Sequence, residues 1–184
     1  AGGVNIINGD GLNVGAPLVK HPLVRRVHFT GSVEIGREVA KAAAEGLKPV
    51  SLELGGKNPM IVFPDADINK AVAGAFNGMN YCWSQGQSCG STTRLFLHES
   101  VHDEFLAKLL EKIRTARIGV PTDESTDMGC LVSEKHFNRV MSYIELGKQE
   151  GAKLVAGGGK PAQAELQKGL FVLPTVFDGV TMSM

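Results

Sequence analysis

Arg26-Val27-His28-Phe29-Thr30-Gly31-Ser32-Val33-Glu34-Ile35-Gly36 is the stretch on which the fold class turns. The run from Arg26 to Phe29 has strand character, Gly31-Ser32 supplies a turn, and Val33 to Glu45 carries helical period up to a stop at Gly46. Val50 to Glu53 then reads as a further strand. Strand, turn, helix and strand in that order are the repeating unit of an α/β fold with parallel strands. Upstream, Val4 to Ile7 suggests a strand and Val14 to Lys20 a short helix ended by His21-Pro22. Downstream, Gly55-Gly56-Lys57-Asn58-Pro59 is a turn at which the composition shifts, so a domain junction is expected near Gly55. Beyond it, Met60 to Phe63 reads as a strand and a helix starts at Ile68 with Asp67 as N-cap. Arg94 to His98 is an expected strand, and Ser100 with Asp103 resembles a capping box for a helix carrying Val101, Phe105, Leu109 and Ile113. Glu134 to Glu150 is a helix stopped by Gly151, and Lys153 to Ala156 and Phe171 to Val176 read as strands. No internal repeat is present.

The 184 residues suit one domain or pieces of two, and a hydrophobic fraction of 43% is enough for an ordinary core. Nineteen basic residues balance nineteen acidic ones, so no broad field draws nucleic acid or an anionic membrane, and neither is expected as a partner. No apolar run approaches the ~20 residues of a membrane helix. The first residues lack the basic-then-apolar order of a signal peptide. Cys82, Cys89 and Cys130 are too few and odd in number for a disulfide framework, which points to reduced thiols and a cytoplasmic location. The chain has no initiator methionine and stops just after a strand-like segment, so an internal fragment is expected.

Three places carry possible chemistry. Gly31 to Gly36 sits between a strand and a helix, where free N–H groups and the helix dipole favour a phosphate and Ser32 can cap the helix. An ordinary strand–turn–helix explains the same residues, since the motif is neither a GxGxxG nor a Walker loop. Gly9-Asp10-Gly11, Gly15 and Gly157-Gly158-Gly159 read as plain loops. Glu53 ends a strand before two glycines, a position where a carboxylate can be partly desolvated into a useful base, or can be a simple surface charge. Lys57 reads as a solvated charge. Cys89 lies in Gln85-Gly86-Gln87-Ser88-Cys89-Gly90-Ser91, with small polar neighbours that leave room for a substrate and backbone N–H groups for an oxyanion. Cys82 has large neighbours and reads as a small hydrophobe or a pocket wall, and Cys130 has no partner, so both read as structural. No CxxC occurs and none of the five histidines neighbours a cysteine, so neither a metal site nor a Cys–His protease is expected.

Phe29-Thr30-Gly31-Ser32-Val33-Glu34-Ile35-Gly36, then Leu52-Glu53-Leu54-Gly55-Gly56-Lys57-Asn58-Pro59, then Gly86-Gln87-Ser88-Cys89, taken together and in that order, resemble the aldehyde dehydrogenase superfamily. Within it the betaine-aldehyde type is most similar. The resemblance extends from Asn5-Ile6-Ile7 to Leu173-Pro174-Thr175-Val176-Phe177. It implies an α/β fragment: residues 1–54 as the last part of a Rossmann-like coenzyme domain and residues 55–184 as the first part of an α/β catalytic domain with parallel strands. Gly31, Ser32, Val33, Glu34, Ile35 and Gly36 match the turn that holds the dinucleotide pyrophosphate, with Leu54 a further coenzyme contact. Cys89 matches the nucleophile and Glu53 the general base. NAD or NADP is the implied cofactor, a small-molecule aldehyde the implied substrate, and a homo-oligomer the implied state of the full-length enzyme.

The implied reaction agrees with the residue-level reading. A Cys89 thiolate adds to an aldehyde, the alkoxide gives up hydride to the coenzyme, and water activated by Glu53 releases the acid from a thioester. The Cys89 N–H is one candidate oxyanion donor. The family's side-chain oxyanion donor and its ribose-binding residues match nothing here, so the isolated fragment is expected to be inactive. Two other readings stay open: a non-catalytic dinucleotide-binding or structural protein of the same fold, and an acylating enzyme that passes the acyl group to coenzyme A.

Overall fold

The computed structural model describes residues 2–184. The chain forms two compact units, Ala1–Gly56 and Lys57–Met184. In the first, Asp10 caps a π-type turn, Gly11–Gly15, by accepting from the Leu12 and Asn13 N–H groups, and α1 (Ala16–Lys20) follows. Next come β1 (Val27–Gly31), α2 (Val33–Glu45) and β2 (Val50–Leu54). β1 and β2 are parallel, with Phe29 opposite Leu52, Thr30 opposite Glu53 and Gly31 opposite Leu54. α2 crosses between them and buries Gly36, Val39 and Ala43, an i, i+3, i+7 stripe.

The second unit begins with β3 (Pro59–Val62), α3 (Ile68–Gly78) and a single turn of helix, α4 (Tyr81–Ser84). β4 (Arg94–Leu97) lies parallel to β3, and α5 (Glu99–Arg114) packs on α3. Their shared core is Val62, Val72, Ala75, Phe76, Tyr81, Val101, Phe105, Leu109, Ile113 and Met128, with Phe105 fully buried. α6 (Glu134–Gln149) packs on a smaller cluster of Leu131, Ile144 and Val172. Strands β5 (Lys153–Ala156) and β6 (Val176–Asp178) close the unit.

The parallel pairs and intervening helices are the α/β architecture expected, and several local expectations need correction. Val4 to Ile7 forms no strand: among the described residues no segment pairs with it, and Val4 and Ile6 are exposed. Phe171 to Val176 is strand only from Val176 onward, and β6 runs antiparallel to β5 rather than parallel. Phe171 and Val172 are instead buried in irregular backbone. Ser100 is not the cap of α5, because the His98 imidazole accepts from the Ser100 N–H at 3.3 Å and takes the capping position. Asp103 completes no capping box, since its carboxylate is held by His102. The residue with left-handed backbone after α2 is Leu47, at φ 53°, one beyond Gly46. Ser32, Asp67 and Ser133 cap α2, α3 and α6 through side-chain oxygens, the first two as the sequence indicates.

Candidate active site

Within the first unit, the parallel register brings two of the expected elements to one edge. Gly31-Ser32 leaves the carboxyl end of β1 beside the carboxyl end of β2, where Glu53 and Leu54 lie, and ligands of parallel α/β units bind at that edge. Ser32 Oγ accepts from the Ile35 N–H at 3.3 Å. The N–H groups of Val33 and Glu34, in the first turn, have no intrahelical acceptor and are free to face an anion. Gly36 has a packing role: a Cβ there would come within 2.6 Å of the Leu54 side chain, so glycine lets α2 lie close on β2. Gly36 and Leu54 are thus in contact, while Ser32, Val33, Glu34 and Ile35 are exposed. The Glu53 side chain is exposed on the strand. These features fit the diphosphate of a dinucleotide at the helix start.

Within the second unit, Cys89 is exposed on a loop between α4 and β4 that is braced from several directions. Asn80 and Gln85, at φ 57° and 54°, bracket α4 in left-handed backbone, and Gly86 follows at φ 74°. Non-glycine residues in that region cost energy and gather at functional sites. Ser91 is buried, its Oγ donating to the Met79 carbonyl at 3.0 Å. Gln87 spans the loop, its Nε2 donating to the Ser84 carbonyl at 3.0 Å and its Oε1 accepting from the Val132 N–H at 3.0 Å. The Gly90 N–H donates to Ser88 Oγ at 3.2 Å. Among the described residues the Cys89 N–H has no acceptor, which leaves it available to an oxyanion on the same residue as the thiol.

Around the loop, the buried hydroxyls of Ser84, Thr92 and Thr93 have no hydrogen-bond partner among the described residues. Tyr81 is not a candidate base: burial pushes its phenol up to about 12 and keeps it neutral. Of the two readings of Cys82, the structure has the pocket wall: it is exposed beside Trp83 and lines a pocket of about 230 Å³ rather than packing in a core. Its thiol is nonetheless pushed up, first by local burial and then by the negative charge of Asp127, so the reactive thiolate is disfavoured there. Cys130 is half-buried.

Sequence reading missed Gln87 and Ser91 as braces. Both act on backbone atoms, Gln87 across 45 positions to Val132, so no local pattern announces them. Glu53 and Cys89 belong to different units, and each is placed here within its own.

The profile of the aldehyde dehydrogenase family matches residues 1–184. The chain belongs to the aldehyde dehydrogenase family. As a member, it is 48% identical over 180 residues to the betaine aldehyde dehydrogenases of Brucella ovis and Brucella melitensis, a match covering 98% of this chain and 36% of theirs. This aldehyde dehydrogenase segment also superposes on betaine aldehyde dehydrogenase of Staphylococcus aureus crystallised with NAD+. The TM-score there is 0.89 at 38% identity, over 96% of this chain and 35% of that one. The chain therefore spans about a third of the length of the relatives it matches. Among the described residues no helix is long and apolar enough to cross a membrane.

Proposed function

We propose that this chain supplies the nucleophile and the base of an enzyme that oxidises an aldehyde to a carboxylic acid with NAD+ or NADP+. The observation that carries the reading is the Cys89 loop: an exposed thiol beside an unengaged backbone N–H, on a segment braced by Ser91 and Gln87. A thiolate at Cys89 adds to the aldehyde carbon, and the Cys89 N–H stabilises the alkoxide that results. Bound at the start of α2, a nicotinamide coenzyme supplies the hydride acceptor. Gly31 to Gly36 hold its diphosphate, through the first-turn N–H groups of Val33 and Glu34, with Leu54 alongside. Glu53, on the strand end beside that turn, deprotonates the water that releases the acid from a Cys89 thioester.

In this reading residues 1–54 close a coenzyme-binding domain and residues 55–184 open the catalytic one. Betaine aldehyde, on which the relatives are named, is the first substrate to try, and NAD+, present in the Staphylococcus aureus structures, the first coenzyme. A cytoplasmic homo-oligomer is the proposed setting, in keeping with the few unpaired thiols.

The test is to splice this segment into the Brucella ovis enzyme in place of the matched residues and follow NADH formation from betaine aldehyde. Cys89→Ser should reduce turnover by at least ~10³, since losing a covalent nucleophile removes most of the chemical advantage. Glu53→Gln should keep a first-turnover burst of NADH and then stall at the thioester. A spliced enzyme that binds NAD+ and still turns over normally with Cys89→Ser sinks the assignment. Release of the stalled acyl group by coenzyme A, faster than by water, would point to the acylating reaction instead.

A further inference from the structure

Asn58 stands outside every role described above. It is half-buried between the Gly55-Gly56 turn and β3, and its Nδ2 donates to the carbonyl of Cys89 at 2.6 Å and to that of Ser91 at 3.2 Å. One carboxamide nitrogen carries two hydrogens, so it can make both bonds at once. The peptide that follows Cys89 is held at its other end too, because the Gly90 N–H donates to Ser88 Oγ at 3.2 Å. A peptide group is planar, so fixing its oxygen and its N–H fixes its orientation. The fixing matters because Gly90 has no Cβ to restrict rotation, and without it the chain after the nucleophile would turn easily.

We infer that Asn58 is a positioning residue for Cys89: one donor holds the oxygen of the peptide after the nucleophile, the other holds the Ser91 carbonyl, and together they fix the loop so that the Cys89 N–H stays where an oxyanion forms. The inference rests on the proposed reading of Cys89 as the nucleophile. It also explains why a half-buried carboxamide reaches across 31 and 33 positions to two carbonyls of one loop.

Two probes on the full-length enzyme carrying the spliced segment separate positioning from simple accessibility. 4-Nitrophenyl acetate acylates a thiolate: sulfur adds to the ester carbonyl, an oxyanion forms, the aryl C–O bond breaks, and 4-nitrophenolate leaves with the electron pair. Iodoacetamide alkylates the same sulfur by displacing iodide, and no oxyanion forms. The ratio of the two rates at Cys89, read by mass spectrometry, therefore reports the oxyanion donor and cancels changes in thiolate content or exposure. Asn58→Asp keeps the size and loses both donors; Asn58→Ala loses size and donors; Asn58→Ser keeps one donor.

The ratio should fall about tenfold in Asn58→Asp and Asn58→Ala, less than the ~10²–10³ for losing an oxyanion donor outright, because the N–H is displaced rather than removed. Asn58→Ser should lie between them and the native chain. A space-filling role predicts instead that Asn58→Asp is silent and only Asn58→Ala suffers. An unchanged ratio in Asn58→Asp overturns the inference; if the Asp and Ala variants do not fold by circular dichroism, an unchanged ratio in Asn58→Ser does so. If Cys89 of the native chain is acylated no faster than Cys82 and Cys130, the nucleophile reading fails and takes the inference with it. Preferential acylation of native Cys89 together with an unmoved Asn58→Asp defeats the inference alone.

Discussion

The turn after β1 and the loop before β4 are both short, polar and glycine-containing, yet they are built in opposite ways. The turn at Gly31-Ser32 is assembled locally: Ser32 bonds three residues ahead, and Gly36 meets the neighbouring strand. The Cys89 loop is assembled from a distance, by Asn58 from 31 positions upstream and, through Gln87, by Val132 from 45 positions downstream. A site that receives a flexible ligand's phosphates needs little more than a helix end. A site that must hold a nucleophile and a donor within fractions of an ångström needs support from several segments.

If that contrast is right, equivalent serine deletions should act differently. Ser91→Ala removes the buried hydroxyl that holds the Met79 carbonyl, and should cost roughly 1–3 kcal/mol of unfolding free energy because a buried acceptor loses its donor. It should also raise amide hydrogen exchange from Ser88 to Thr92. Ser32→Ala removes only an exposed helix cap and should cost about 1 kcal/mol, with faster exchange confined to the first turn of α2. Equal costs, or exchange spreading beyond α2 in Ser32→Ala, would break the comparison.

The smallest expected effect lies away from both regions and serves as a control. The His102 ring bridges Asp103, at 2.8 Å from Nδ1, and Asp178 on β6, at 3.0 Å from Nε2. Both nitrogens can donate only in the imidazolium form. The Asp103 hydrogen bond, then that of Asp178, raises the His102 pKa above its ordinary 6.5, while His102 lowers that of Asp178. A raised folded pKa means the His102 contribution is complete below the unfolded value of 6.5 and is lost as pH rises through the higher folded value. The stability difference between the native chain and His102→Gln should thus be largest below pH 6.5 and shrink as the pH rises above it. Its size should stay below about 1 kcal/mol, since the ring is a third exposed. Lys153 lies opposite Asp178 in the β5–β6 register, and its charge also lowers the Asp178 pKa. A difference that grows with pH would show the bridge to be wrongly assigned.

What was legible in the sequence follows the same divide. α2, α3 and α6 declared themselves because period and caps lie within a few residues of each other, and the Gly31–Gly36 turn and Cys89 could be singled out on similarly local grounds. Legibility ended where partners decide. Val4 to Ile7 has strand composition, but composition cannot supply a neighbouring strand, and the segment stays irregular. His98 displaced Ser100 as a cap because an imidazole nitrogen happened to be in reach, which the preference for serine did not anticipate. Asn58 read as one residue of a turn, and its two carbonyl partners exist only once β3 and β4 have paired.

The short α4 has one more consequence. Trp83 is the only tryptophan of the chain and is 85% exposed on that single turn, six residues before Cys89. Excited at the red edge of the indole band, where Tyr81 and Tyr143 do not absorb, the fluorescence of this chain should be a one-site optical readout: an indole this exposed should emit as it does in water, so unfolding should change it little. Quenching or a blue shift on adding an aldehyde would instead register events at α4 and no other place in the chain.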